Sequence, residues 1–192
     1  MGLRLGTVVL GLIASTGFFA NPARVARSAD PVGSGPRVGQ KPGPYSFLVA
    51  TGPERGQQTC YVCEAGDKPG VIVFARSLTA PLSDLLAKCD TEMAARPKDS
   101  IRAWLTVLGE KTVALDDLAK WSKEAGIKTV PTGVFDDLTG PPSYRIAAEA
   151  EVTVLLFFNK KVVENYAFRV GDLSEAAVKK IATAVHALGE KK

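Results

Sequence analysis

The run Val71-Ile72-Val73-Phe74-Ala75-Arg76-Ser77-Leu78-Thr79-Ala80-Pro81-Leu82 decides how this chain is read. Its first five residues are apolar and rich in β-branched side chains, the composition of a central strand. Thr79 is an N-cap residue and Pro81 suits a first helical turn, so a helix follows at once. Leu82, Leu85, Leu86, Cys89 and Met93 then fall at i, i+3, i+4, i+7 and i+11, one stripe for a core, and Pro97 stops the helix. Just upstream of the strand stands Thr59-Cys60-Tyr61-Val62-Cys63-Glu64, with two of the three cysteines at C-x-x-C spacing.

Downstream, Ile101–Leu108 reads as the next strand. A helix is expected over Val113–Ala125, with Leu115, Leu118, Ala119 and Trp121 inward and Gly126 as its stop. Thr129–Phe135 is a short strand, and Asp136–Ser143 an irregular loop around Gly140-Pro141-Pro142. Val152–Phe158 is the strongest strand signal, turned by Asn159-Lys160 into Val162–Phe168. The last helix begins at Ser174, with Leu173 and Val178 spaced as a hydrophobic staple. Upstream, Ser46–Ala50 is a short strand, Thr51–Gly56 a turn, and Gln57–Val62 the returning partner of a hairpin. The order β-(β)-β-α-β-α-β-β-α predicts a central mixed sheet flanked by helices on both faces, with an N-terminal β-hairpin extension.

A chain of 192 residues, 46% apolar and 23% charged, has the material for one good core. The net charge of +4 sits largely in residues 1–29, which carry Arg4, Arg24 and Arg27 and no acid, leaving 21 basic against 20 acidic residues elsewhere. That balance points away from a nucleic-acid partner. Arg4 followed by the uncharged run Leu5–Ala20 reads as an export signal over residues 1–29, cleaved near Ala29, or as a retained anchor. A membrane is then met only through an uncleaved N-terminal segment, and the remainder is periplasmic or extracellular, where a disulfide persists. Residues 30–44, DPVGSGPRVGQKPGP, read as a Gly- and Pro-rich linker, with the folded domain over 45–192.

From Val71 to Leu188 the chain resembles the thioredoxin fold. The resemblance lies in the strand–helix run above, in Val154-Leu155-Leu156-Phe157-Phe158-Asn159-Lys160 and in Val170-Gly171-Asp172-Leu173-Ser174, which are similar to that fold's closing hairpin and last helix. Val38–Phe47 resembles the entry segment of the exported redoxin and peroxiredoxin-like branch of the AhpC/TSA type. The resemblance implies an active-site tetrad at Thr79-Ala80-Pro81-Leu82, where thioredoxins carry C-G-P-C and peroxiredoxins T-x-x-C. Only Pro81, or Thr79 in the second alignment, is kept. Thr79 and Leu82 fill the cysteine positions, Val73 that of the buried acid, and Val152 that of the cis-proline.

Cys60 and Cys63 are the alternative redox pair. In an extended strand residues i and i+3 lie about 10 Å apart on opposite faces, so the two can bond only if the backbone turns. No Lys, Arg or His stands within three residues of either cysteine, and Glu64 disfavours a neighbouring thiolate. Two functions follow. One is thiol–disulfide exchange with a protein thiol or disulfide partner, with Cys60 and Cys63 as catalytic residues and no cofactor or metal. The other is a non-catalytic envelope module whose disulfide is structural. A metal site would need more than half a set of zinc ligands, and His186 reads as a surface residue of the last helix. Cys89 reads as core packing, and a resolving role requires that the fold bring it to Cys60 or Cys63.

Overall fold

Gly70–Ala75 is buried at all six positions, so both faces of the sheet it belongs to must be covered. A computed structural model describes residues 1–2, 32–96, 100–109 and 114–191. The export segment, its cleavage near Ala29, Pro97 and Val113 therefore lie outside the described residues. The elements in chain order are β1 (Phe47–Val49), β2 (Gln58–Thr59), α1 (Tyr61–Ala65), β3 (Gly70–Ala75), α2 (Ala80–Ala94), β4 (Arg102–Leu108), α3 (Leu115–Glu124), β5 (Thr132–Phe135), β6 (Val152–Phe158), β7 (Lys161–Phe168) and α4 (Glu175–Gly189). They form one seven-stranded sheet in the order β2-β1-β5-β4-β3-β6-β7. β3, β4 and β5 are parallel and the remaining pairings antiparallel, which makes the sheet mixed, as expected.

The connections β3-α2-β4 and β4-α3-β5 advance the same way across the sheet. A crossover of fixed hand therefore puts both helices on one face. α4 joins them there: Leu82, Leu85, Leu86 and Cys89 of α2, Leu118 of α3, and Val178, Ile181, Val185 and Leu188 of α4 share a cluster with Val71, Val73, Leu105 and Val154. The opposite face, built on Ile72, Phe74, Trp104, Leu155 and Phe157, has among the described residues only the short α1 for a helix. Two irregular segments complete its cover. The β5–β6 connection contributes Tyr144 and Ile146, and Arg76 pins it by donating to the carbonyls of Leu138, Ala147 and Ala150.

The second cover is the segment expected to be a linker. Ser34, Pro36 and Pro42 are buried. Ser34 Oγ meets Thr153 Oγ1 at 2.7 Å, and Asn165 donates to the carbonyls of Ser34 and Pro36 at 2.8 Å each. The amide of Gly39 donates to Val162 O and that of Val162 to Gln40 O, so the segment also pairs with the edge strand β7. Gly and Pro composition signals that no core forms within the segment, but it does not forbid lying on a core built by others. Tyr45 follows, its hydroxyl accepting from Trp104 Nε1 at 2.8 Å and meeting Thr106 Oγ1 at 2.9 Å.

Several local expectations hold in detail. Thr79 Oγ1 accepts from Leu82 N at the start of α2, and Ser174 Oγ from Ala177 N at the start of α4. Asn159 and Lys160 both take positive φ, 48° and 57°, the geometry of a two-residue hairpin turn. The hairpin partner of β1 is shorter than expected, only Gln58–Thr59, because the chain turns into α1 at Cys60. β5 is also shorter, starting at Thr132 and not Thr129. The buried carboxylate of Asp90 accepts from the amides of Lys128, Thr129 and Val130 at 2.9, 2.5 and 2.9 Å, which commits those donors before any ladder can use them. In α3, Leu118 and Ser122 are buried while Leu115, Ala119 and Trp121 are half-buried, since Ser122 Oγ reaches Thr132 Oγ1 at 3.0 Å.

Burial by itself raises the Asp90 pKa, but the hydrogen bonds from Thr129, Val130 and Lys128 outweigh it and hold the carboxyl below its ordinary value. The depressed folded-state value stabilises the fold above the ordinary carboxylate range, and that stability is lost as pH falls through the folded value. Asp90→Ala should cost about 2 kcal/mol or more by stranding three backbone amides and the Thr129 hydroxyl. Chemical denaturation at pH 7 and at pH 3 checks this: the gap between wild type and variant should narrow at the lower pH.

Candidate functional site

At Cys60 the backbone leaves β2 and winds into α1, with Cys60 as N-cap at φ −107° and ψ 84°. The carbonyl of Cys60 accepts from the amides of Cys63 and Glu64 at 3.0 and 3.2 Å. This turn is the condition the C-x-x-C pair needed, and it brings the two Cα atoms to 5.3 Å with a disulfide closed between Cys60 and Cys63. Tyr61 and Ala65, four residues apart, face the core and anchor the turn. The Tyr61 ring lies 5.6 Å from that of Phe47 and 5.8 Å from that of Trp104. Burial, with Glu54 beside it, pushes the Tyr61 hydroxyl well above its usual pKa, so it stays a neutral donor to Glu54. With Tyr61 and Ala65 inward, Cys63 and Glu64 face solvent while Cys60 is half-buried.

The position of this disulfide in the sheet is the main departure from the thioredoxin pattern. α1 sits beside the beginnings of β3 and β4, where Glu64 forms an ion pair with Arg102, the first residue of β4. Thr79 lies beyond the other end of β3, whose six residues span about 17 Å at roughly 3.3 Å per residue. The sequence puts the pair just upstream of the strand that feeds Thr79. The pair is indeed next to that strand, but at its opposite end. At the usual end Thr79 is an N-cap, Leu82 and Val73 are buried, Pro81 is half-buried and Val152 begins β6. Among the described residues no peptide bond is cis.

Basic residues absent from the local sequence share a pocket with Cys63. Cys63 lines a pocket of about 260 Å3 together with Lys41, Pro42, Val62, Phe157 and Lys160. Lys41 comes from the entry segment and Lys160 from the β6–β7 turn, and Lys160 also reaches Asp67 at 3.2 Å. Arg102 offsets the charge of Glu64 that would otherwise disfavour a thiolate. None of these partners lies within 20 residues of its neighbour in sequence, so no local pattern announced them.

Cys89 is the one unpaired cysteine, buried in the helix-covered face with Leu85 and Leu86. Cys60 and Cys63, by contrast, are the N-cap and an inner residue of α1 on the other face and are bonded to each other, so Cys89 is not their resolving partner here. His186 is exposed on α4 and meets Glu92 at 3.1 Å and Arg96 at 3.4 Å, a surface cluster that ties the end of α2 to α4. Asp116 pairs with Arg55, and Asp137 accepts from the amide and hydroxyl of Thr139 at 2.7 Å each. Among the described residues there is no cluster of three or more potential metal ligands, and no helix is long and apolar enough to cross a membrane.

No family model and no curated protein matches the chain. Solved structures do. A candidate protein disulfide isomerase of Bacteroides thetaiotaomicron superposes with a TM-score of 0.62 at 14% identity, over 83% of this chain and 96% of that one. A candidate thiol:disulfide interchange protein DsbE of Chlorobium tepidum gives 0.55 at 16% identity, over 78% and 98%. BsSco, a member of the Sco family of cytochrome c oxidase assembly proteins, gives 0.56 at 11% identity, over 85% and 98%. The chain thus has a thioredoxin-like fold, as the sequence resemblance implied. At these identities the likeness is one of fold, and function rests on the site.

Burial pushes the Cys89 thiol from its usual 9.0 up to about 12. The folded state keeps this proton while the unfolded chain loses it, so the stability it contributes is intact below pH 9 and is lost as pH rises toward 12. Native protein with its disulfide intact should therefore resist iodoacetamide at pH 8.5 for as long as it stays folded, and incorporate one equivalent in denaturant. Rapid labelling of the native state, read by mass spectrometry, is the contrary result.

Proposed function

We propose that the protein is a thiol–disulfide exchange protein whose working couple is Cys60–Cys63 at the α1 end of the sheet, with the Thr79–Leu82 end unused. The observation that carries this reading is the exposed Cys63 at the mouth of a pocket with two lysines. An incoming thiolate meets Cys63 Sγ first, because Cys60 is half-buried and outside that pocket. The Cys60–Cys63 bond breaks, a mixed disulfide forms at Cys63, and Cys60 leaves as a thiolate carrying the electron pair. The amide of Cys63, which donates to Cys60 Sγ at 3.3 Å, remains placed to stabilise that charge. In the reverse direction Cys63 attacks a partner disulfide and Cys60 resolves it. Export through the N-terminal segment belongs to the same reading, since it puts the couple where a disulfide persists.

A second reading has its own support. Tyr61 and Ala65 lock the turn to the core, as a structural staple in a binding module would. The bridge spans only three positions, so its stabilisation through chain entropy is about 2 kcal/mol or less.

Titration across a glutathione series separates the two. An exchanging couple should have a midpoint between roughly −120 and −270 mV, and a midpoint below about −300 mV would establish the staple. Cys63→Ala should abolish turnover of a model disulfide, while Thr79→Ala should retain it within about twofold, since Thr79 contributes a helix cap and no thiol. N-terminal sequencing of the protein recovered from the cell envelope tests export: a mature end near Ala29 is expected, and a cytosolic protein beginning at Met1 would overturn it.

A further inference from the structure

Lys41 belongs to two cavities. On one side it lines the 260 Å3 pocket of Cys63. On the other it lines a larger cleft of about 950 Å3, bounded by Arg37, Gln40 and Asn165 and by Arg145 from the β5–β6 connection. The two share this one side chain, and neither is lined by a carboxylate. Three arginines elsewhere are ion-paired, Arg55 with Asp116, Arg96 with Glu92 and Glu190, and Arg102 with Glu64, while Arg76 is held by the carbonyls of Leu138, Ala147 and Ala150. Among the described residues Arg37, Lys41 and Arg145 form no ion pair, although all three are exposed. Arg145 is moreover held at φ 51°, outside the usual region for its residue type, where its carbonyl receives the amide of Gly35. Three cations without an ion-pair partner thus border a cleft that shares Lys41 with the pocket of the exposed sulfur.

We infer that the exchange partner is an acidic protein segment that carries a cysteine, with the cysteine at Cys63 and its carboxylates along Lys41, Arg37 and Arg145. This rests on the reading of Cys60–Cys63 as an exchanging couple and adds the chemistry of its substrate. An extended segment suits the cleft, since successive residues advance by about 3.3 Å and can reach from the Cys63 pocket past Lys41. In the step itself the partner thiolate bonds to Cys63 Sγ and Cys60 leaves as a thiolate. A second thiolate of the partner then attacks the partner's own sulfur, releasing Cys63 as a thiolate. The partner is oxidised by two electrons, the Cys60–Cys63 bridge is reduced by two, and the partner's protons go to solvent.

The test uses the full chain and two single-cysteine peptides identical except that the residues flanking cysteine are Glu in one and Gln in the other. The rate of mixed-disulfide formation is read by mass spectrometry, with 2-mercaptoethanol as each variant's own reference. The Glu peptide should react at least about tenfold faster than the Gln peptide at low ionic strength, and the ratio should fall toward one at 0.5 M salt. Arg37→Glu and Arg145→Glu should each lower the ratio, and Lys123→Glu, on α3, should not. Equal rates for the two peptides, or a ratio indifferent to Arg37→Glu and Arg145→Glu, would overturn the inference. A bridge inert even to 2-mercaptoethanol would instead sink the exchange reading. Binding of the same peptides with Ser in place of Cys, followed by fluorescence anisotropy, then still decides acidic recognition. A preference for the Glu form that Arg145→Glu removes supports it, and no preference refutes it.

Discussion

The burial of β3 on both sides is the constraint from which the rest of the molecule follows. A strand with no exposed residue requires two covers, and the chain supplies three helices for one of them only. The other cover is assembled from pieces: the entry segment, the β5–β6 connection and the short α1. Because α1 exists to put Tyr61 and Ala65 against Phe47 and Trp104, the residues between and beside them are forced outward. Cys63 is exposed for that reason. The disulfide's location thus follows from packing, at a place that the core fixes.

This arrangement separates two ends of one sheet that a thioredoxin uses differently. At the end where α2 begins, Thr79 and Leu82 do what caps and core residues do. At the other, a bridge is attached to a scaffold whose rigidity comes from aromatic contacts and from the Tyr45–Trp104–Thr106 hydrogen bonds beneath it. Similar folds in a disulfide isomerase-like protein, a DsbE-like protein and a Sco protein show that the scaffold is shared. They do not dictate which end is put to work.

What could be read in the sequence was what is encoded locally. The 3.6-residue stripe from Leu82 to Cys89, the Ser174 cap with its Leu173–Val178 staple, and the Asn159-Lys160 turn are each decided by residues a few positions apart, and all three stand in the fold. The turn at Cys60–Cys63 was legible as a requirement of bonding geometry, though the helical form it takes was not. What was illegible came from distance. Asp90 shortens β5 through donors 38 to 40 positions away, while Lys41 and Lys160 join the pocket of Cys63, and Arg102 its neighbour Glu64, from three separate parts of the chain. The Gly- and Pro-rich segment 32–44 misled for a different reason. Composition reports whether a segment has its own hydrophobic core, and Ser34, Pro36 and Asn165 show it borrowing another.

The same segment has a bearing on how the domain meets copies of itself. Open sheet margins are templates for strand addition, and proteins that keep theirs short or covered avoid polymerising through them. Here one margin is β2, only two residues long. The other is β7, and the Gly39 and Gln40 backbone already occupies the groups of Val162 that an incoming strand would need first. A borrowed stretch of Gly and Pro thus acts as a selvedge. It finishes the weave of the sheet at the start of β7, so that a second domain crowded against this one finds the first backbone groups of that margin already taken.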